Sequence, residues 1–414
     1  MARVQLPRGT FDVLGDDALA RAELERTARR VLEAAGYERI ETPAFEATEL
    51  FARGVGTSTD VVQKEMYTLS EGDGSITFRP EGTAPVCRAY AEHGMHKRPQ
   101  PVKLWYLGPF FRRERPQSGR FRQFTQVGAE AIGSEDPAVD AESILLLHEL
   151  LSALGVGGAR LRIGSLGTPV TRAAYSEALA AHLRAHEGEL AEEVRARIDL
   201  NPLRAFDSDH PGTKRVMESA PRLLDRLTPE DAEHFATVRE LLDAADVDHE
   251  VDPTLVRGLD YYTRTVFEFS SAALGAQSGV GGGGRYDGLL EQIGAPGAPG
   301  MGWAAGIERM LLAAAPPAVA PLPLDLYVAY TGTEHRTQAF AMAAAARRSG
   351  ETVRLELGGR SLKGQLKAAD RAGARYVAIL GDDGVALKDL ESGEQRTVEA
   401  QTVLHHIRAG FEAL

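Results

Sequence analysis

Strand-forming runs occupy the first part of this chain, stop near Thr171, and resume at Thr265–Phe269. Between Thr171 and Asp252 the texture turns to Ala, Glu and Arg with helical periodicity and few strand formers. The sheet domain is therefore interrupted rather than finished, and residues 171–252 are expected to form a helical insertion. A second boundary lies in the Ala/Pro run Ala313–Pro323, which reads as a semi-rigid linker. Beyond it, strands alternate with helices. Leu324–Tyr330, Thr352–Leu357 and Tyr376–Leu380 are predicted strands, and Glu334–Ser349, Leu362–Ala372 and Val403–Phe411 predicted helices, which implies a small α/β domain. At 414 residues the chain has room for about three domains.

Within the first part, Asp16 or Asp17 is expected to cap a helix that Gly36 stops, followed by a strand over Tyr37–Phe45. Short apolar runs broken by Gly and Pro from Ile76 to Ile132 predict an antiparallel sheet, and Val139–Leu154 a helix closed by Gly155.

Charge narrows the partners. The whole chain carries 47 basic and 59 acidic residues, a formal net of -12, which taken alone argues against nucleic acid. Local sums differ. The stretch 171–252 holds 19 acids and 10 bases, whereas Arg98–Gln123 holds seven bases and one acid, and Arg336–Arg375 nine bases and three acids. Two basic surfaces separated by an acidic module suit a long anionic partner touching two places, although solvated helix faces carry charge too. The single cysteine, Cys87, leaves no internal disulfide or Cys-rich metal site, and His93 and His96 have no ligand cluster beside them. No run of about 18 apolar residues or secretory h-region is present, so a cytoplasmic protein without a membrane partner is expected.

Five segments carry candidate chemistry. Phe111–Glu130 places arginines at 112, 113, 115, 120 and 122 around a Pro/Gly loop, with Glu114 as the one local acid. Planar guanidiniums suit bidentate phosphate binding, strand alternation aims Arg112 and Glu114 to one face, and Phe124 suits base stacking. A salt-bridged hairpin is the structural alternative. Leu255–Phe269, with Arg257, Asp260, Tyr261, Tyr262 and Arg264, suits a small polar ligand with developing negative charge, or a Tyr-rich strand edge. Gly279, Gly281 and Gly284 satisfy G-x-G-x-x-G, but no short βαβ unit surrounds them, so close backbone approach explains them better than a dinucleotide. Gly300–Met310 reads as a small-residue strand entering a helix that presents Arg309. Glu81 and Thr83 stand on a turn before a helix, where a cap is the plain alternative to a site.

Together these segments resemble the histidyl-tRNA synthetases, a family of class II aminoacyl-tRNA synthetases. Pro7–Asp12 resembles the family's opening, and Tyr37–Thr48 resembles motif 1, which builds a dimer interface. Phe111–Glu130 resembles motif 2 and Gly300–Arg309 motif 3; Leu255–Phe269 and Gly282–Leu289 resemble the two histidine motifs. The resemblance implies an α+β multidomain fold, an antiparallel class II sheet flanked by helices. Catalytic parts over 1–170 and 253–315 would enclose the insertion 171–252, and a linker 316–323 would lead to a mixed α/β anticodon-binding domain over 324–414. It also implies histidyl-adenylate formation from L-histidine and ATP with Mg²⁺, and transfer to the 3′ end of histidine tRNA.

By the same resemblance Arg112 holds the α-phosphate and substrate carboxylate, Glu114 and Phe124 meet adenine, and Arg309 covers its other face. Arg257 stabilises charge during adenylation. Glu81 and Thr83 grip the α-amino group, and Gln126, Glu130, Tyr261, Tyr262 and Tyr286 line the histidine pocket. Gln117 and Arg120 touch the tRNA acceptor end, and no protein-bound metal site is implied. Adenylation is attack of one anion on another, so arginines with Mg²⁺ offset repulsion and no protein nucleophile is needed. Non-catalytic regulatory subunits of ATP phosphoribosyltransferase resemble the same domain but generally lack the C-terminal domain and intact histidine motifs, both present here. A class II synthetase for another amino acid is opposed by Arg257–Arg264.

Overall fold

A computed structural model describes residues 3–56, 59, 61–117, 119–255, 259–275, 278–314 and 323–410. The chain divides into two compact units, Met1–Pro317 and Ala318–Leu414. The expected linker 316–323 lies almost wholly outside the described residues.

The first unit is built on an eight-stranded sheet. Six strands, Val102–Phe111, Gln123–Ile132, Gly300–Gly306, Gly279–Arg285, Thr263–Ser271 and Ala159–Ser165, pair antiparallel in that spatial order. Two-residue strands, Glu38–Arg39 and Glu250–Val251, add parallel edges at its ends. Strands from before and after the helical stretch thus share one sheet, as the interruption of the strand texture required.

The two faces of this sheet sort by the two-residue strand period. Trp105, Val127, Ala129, Phe267 and Trp303 face one core, against the helices Asp16–Ala34, Pro137–Ala153 and Pro229–Ala244. Leu104, Tyr106, Val266 and Tyr286 face the other, with Val86 and Tyr90 of helix Thr83–Glu92 and Tyr175 and Leu179 of helix Pro169–Ala185. The odd positions 127, 129 and 131 of Gln123–Ile132 join the first core, so Phe124, Gln126, Gly128 and Glu130 turn to the second face. That face carries the site.

Several local expectations change. The helix Asp16–Ala34 starts at Gly15, and Asp16 and Asp17 sit in its first turn, where acids favour the helix dipole, rather than capping it. Tyr37–Phe45 forms only the short strands Glu38–Arg39 and Phe45–Ala47, because proline and the turn around it break pairing. The stretch Ile76–Ile132 is not all sheet: helix Thr83–Glu92 lies inside it. Within 171–252, helix Pro229–Ala244 contributes Phe235, Val238 and Leu242 to the same core as Trp105 and Trp303. Its apolar face is satisfied by the sheet domain rather than by the other helices of that stretch.

In the second unit, parallel strands Leu324–Tyr330, Val353–Leu355 and Ala374–Gly381 are extended by the antiparallel hairpin Gly384–Asp389 and Gln395–Val398. Helices Arg336–Arg348, Leu362–Arg371 and Val403–Ala409 complete it, within a few residues of the expected bounds.

Candidate active site

Two adjoining regions on the second sheet face gather most of the expected residues. The first is a buried cluster around Glu130, which is fully shielded from solvent. Its Oε1 accepts from Thr83 Oγ1 at 2.8 Å and Tyr106 Oη at 3.3 Å, and its Oε2 from Tyr286 Oη at 2.6 Å. Glu81 accepts from the backbone N–H groups of Thr83 at 2.8 Å and Ala84 at 3.0 Å, where helix Thr83–Glu92 begins. Glu81 therefore does cap that helix, and Tyr261 Oη reaches its Oε2 at 3.5 Å. Tyr261 stacks edge-on between Tyr262 and Tyr286, with centroids 4.7 and 6.0 Å away.

The sheet makes room for this cluster by denying side chains to its neighbours. Across the strands, Glu130 stands opposite Gly302, and Tyr106 opposite Gly128. A Cβ at 302 would overlap the Glu130 carboxylate, and one at 128 would enter the Tyr106 ring. Burial dominates the electrostatics. It raises the Glu130 carboxyl from 4.5 to about 8, partly offset by the donating hydroxyls, and Glu81 is raised by the same cause. Burial also raises Tyr106, Tyr261 and Tyr286, which keeps their hydroxyls neutral donors.

The strand that ends in Arg285 and leads to Tyr286 is anchored from the far side. Arg285 is buried and donates through Nε to Asp140 Oδ1 at 3.0 Å, while His234 Nε2 lies 2.8 Å from Asp140 Oδ2. Removing one member of such a buried pair costs roughly 3–5 kcal/mol.

The second region is an open cavity of about 640 Å³ lined by Arg112, Glu114, Arg120, Phe124, Gln126 and Arg309, among others. Arg112 is not on a strand, since Val102–Phe111 ends one residue before it; the proline-bearing loop replaces the expected alternation. It donates from Nε to the Pro80 carbonyl at 2.9 Å, its guanidinium lies 5.3 Å from the Phe124 ring centre, and its charge partly offsets the rise that burial imposes on Glu81. Glu114 lies between Arg112 and Arg120, at 3.7 and 3.4 Å. Arg309 donates to the Gly279 carbonyl at 2.6 Å; burial and the charge of Arg120 lower its pKa. Among the described residues the Oε1 of Gln126 is buried without a hydrogen-bond partner, so it can accept from an incoming donor.

Arg112 links the two regions, lining the cavity while its charge acts on Glu81, and Gln126 lines the cavity; Glu81, Thr83, Glu130, Tyr261, Tyr262 and Tyr286 do not line the cavity wall. Gln117 pairs back on Arg120 through backbone hydrogen bonds at the loop tip. Arg257 lies outside the described residues. Sequence reading missed Tyr106, hidden in an ordinary apolar strand, and Arg204, which reaches the cavity from the helical stretch. It also missed Glu308, whose carboxylate accepts from Thr125 N at 3.1 Å and Arg21 at 2.7 Å, locking Arg309's helix to its neighbours. Its position beside Arg309 was the available signal.

Residues 9–310 match the family described as histidyl-tRNA synthetase, and residues 325–409 match an anticodon binding domain. The chain is 47% identical over 401 residues to a histidine–tRNA ligase of Desulfitobacterium hafniense, covering 95% of each. It is 47% identical over 423 residues to that of Geobacillus kaustophilus, covering 99% of each. Its fold matches the crystal structure of apo histidyl-tRNA synthetase from S. aureus, with a TM-score of 0.81, 34% identity, and coverage of 98% of this chain and all of that one.

Proposed function

The chain belongs to the histidyl-tRNA synthetase family, and we propose how its own residues carry ATP-dependent activation of L-histidine and transfer of the histidyl group to histidine tRNA. The observation that carries the reading is one sheet face on which a closed Glu130–tyrosine cluster adjoins an open cavity lined by Arg112, Arg120 and Arg309. The cluster binds histidine. Its ring nitrogens meet Glu130 and the hydroxyls around it, and a side chain without those nitrogens leaves buried polar groups unpaired, which rejects it strongly. Glu81 and Thr83 take the α-ammonium, and Gln126 offers its unpartnered oxygen at the mouth.

The cavity binds ATP. Phe124 stacks on adenine, Glu114 reads its edge, and Arg309 covers the far side toward the γ-phosphate. Arg112 touches both regions, so it draws the histidine carboxylate and the α-phosphate together and stabilises the charge that builds as the new bond forms. Arg257 shares that task in our reading. Glu65 and Glu268 also line the cavity and carry oxygen donors of the hard kind that Mg²⁺ takes, so this wall fits Mg²⁺ that arrives with the nucleotide. Mg²⁺ there would neutralise phosphate charge. Gln117 and Arg120, on the loop tip, reach the acceptor end of tRNA.

In our reading 1–170 and 253–315 are catalytic, 171–252 is a helical insertion whose helix Pro229–Ala244 and strand Glu250–Val251 join the catalytic sheet domain, and 324–414 binds the anticodon. A homodimer through Tyr37–Thr48 fits the exposed Phe45 and Leu69 on the small sheet formed by Phe45–Ala47, Tyr67–Glu71 and Gly74–Phe78. No described helix is long and apolar enough to cross a membrane, which suits the cytoplasm. The test is histidine-dependent ATP–pyrophosphate exchange, then charging of histidine tRNA, by the purified protein. Folded protein without exchange would promote the regulatory-subunit reading. Truncation after Pro321 is expected to spare exchange and weaken charging; equal loss of both overturns the separable tRNA domain.

A further inference from the structure

From the helical stretch, one side chain reaches the backbone that carries the tyrosines. Arg172, in the first turn of helix Pro169–Ala185, donates through Nη1 to the carbonyl oxygens of Asp260 at 2.9 Å and Tyr262 at 3.1 Å. These two acceptors bracket Tyr261. The guanidinium is half-buried, burial lowers its pKa, and the nearby Asp260 carboxylate favours its charge. A cation placed there at a desolvation cost, donating to two backbone carbonyls, fixes a path of chain.

The same path is gripped from its other end. Arg264 has φ +43°, a left-handed conformation that a non-glycine residue adopts only when its surroundings impose it. Its N–H donates to Gly167 O at 2.8 Å, its carbonyl accepts from Leu166 N at 2.7 Å, and its Nε donates to Asp231 Oδ1 at 3.1 Å. Asp231 also accepts from Thr168 N at 3.0 Å and Thr171 Oγ1 at 2.9 Å, at the start of the helix that bears Arg172. Asn201 Nδ2 adds a contact to Asp260 Oδ1 at 3.4 Å.

We propose that Arg172 is a positioning residue for histidine recognition: it acts through the Asp260–Tyr262 backbone to hold Tyr261 and Tyr262 in register with Glu81 and Glu130. This rests on the reading of the tyrosine cluster as the histidine pocket. Among the described residues the arginine does not line the cavity, so its effect is expected to fall on one substrate.

The experiment measures KM for histidine and for ATP separately in pyrophosphate exchange, with thermal midpoints, for Arg172→Met, Arg172→Lys and Tyr262→Phe. Arg172→Met is expected to raise the histidine KM about tenfold or more and to leave the ATP KM within about twofold, the loss expected from two charge-assisted bonds. Arg172→Lys keeps a donor on a similar stem, so it folds and recovers part of the histidine KM. If Arg172→Met does not fold, the lysine variant decides: a histidine KM unchanged, or raised in parallel with that for ATP, overturns the proposal. If Tyr262→Phe raises the histidine KM while both Arg172 variants leave it unchanged, positioning by Arg172 is wrong and the pocket reading stands. If none of the three moves it, both are wrong.

Discussion

Glu130 and Glu114 belong to one hairpin, the strands Val102–Phe111 and Gln123–Ile132 and their loop, yet their surroundings are opposite. Glu130 is sealed among three hydroxyls and raised to about 8 by burial. Glu114 stands at the edge of an open cavity between two guanidiniums. A closed, neutral-leaning pocket distinguishes shapes and donors, because anything mismatched leaves a desolvated group unpaired. An open, cationic one gathers phosphate charge and tolerates water. The two halves of a ligation between an amino acid and a nucleotide need these two environments side by side, and Arg112 spans them.

The comparison breaks first at Arg112. Arg112→Ala is expected to lower the rate of histidine-dependent exchange by about 10³-fold, since on the proposed reading it removes a charge that acts on the forming bond, with a thermal midpoint close to wild type. Loss of folding in step with activity would place Arg112 with the structural arginines such as Arg285. Phe124→Ala sharpens the cavity side: it should raise the ATP KM by about tenfold through lost stacking and leave the histidine KM nearly unchanged. A parallel rise in both would mean that the two regions are not separate.

Glu130→Gln tests the pocket side with the most specific effect, a pH slope in stability rather than a change in rate. Folding raises this carboxyl from 4.5 to about 8, so its contribution to stability is full below the unfolded value and is lost as pH rises through about 8. The wild-type protein should therefore lose stability relative to the glutamine variant between about pH 5 and 9, on the order of a few kcal/mol. Chemical denaturation of both proteins across that range checks it, and parallel curves would mean that Glu130 is ionised in the folded protein throughout.

What could be read from residues alone follows a physical divide. Periodicity is local, so helix Pro137–Ala153, the C-terminal strands and the strand texture either side of the helical stretch were legible within a few positions. Chemically unusual segments were legible too, because five arginines around one glutamate, or two tyrosines beside an arginine, have few structural uses. Partnerships across the sheet were not. Nothing near Tyr106 in sequence tells that Gly128 lies opposite and that Glu130 is within reach of its hydroxyl. Nothing around Arg172 announces two carbonyls some ninety positions later. The alternation assumed for Arg112 and Glu114 failed because the strand stops at Phe111, although the two side chains still meet.

The pairing of Gln123–Ile132 with Gly300–Gly306 bears on how this protein is made. During synthesis the strand with Glu130 leaves the ribosome long before its partner exists, and its open edge must wait, unpaired, through the whole helical stretch. Neither the glycine that accommodates Glu130 nor the helix bearing Arg309 is yet available. A nascent chain halted before residue 300 therefore lacks the strand that completes the surroundings of Glu130, and the assembled site arrives late, when the central strand closes the sheet.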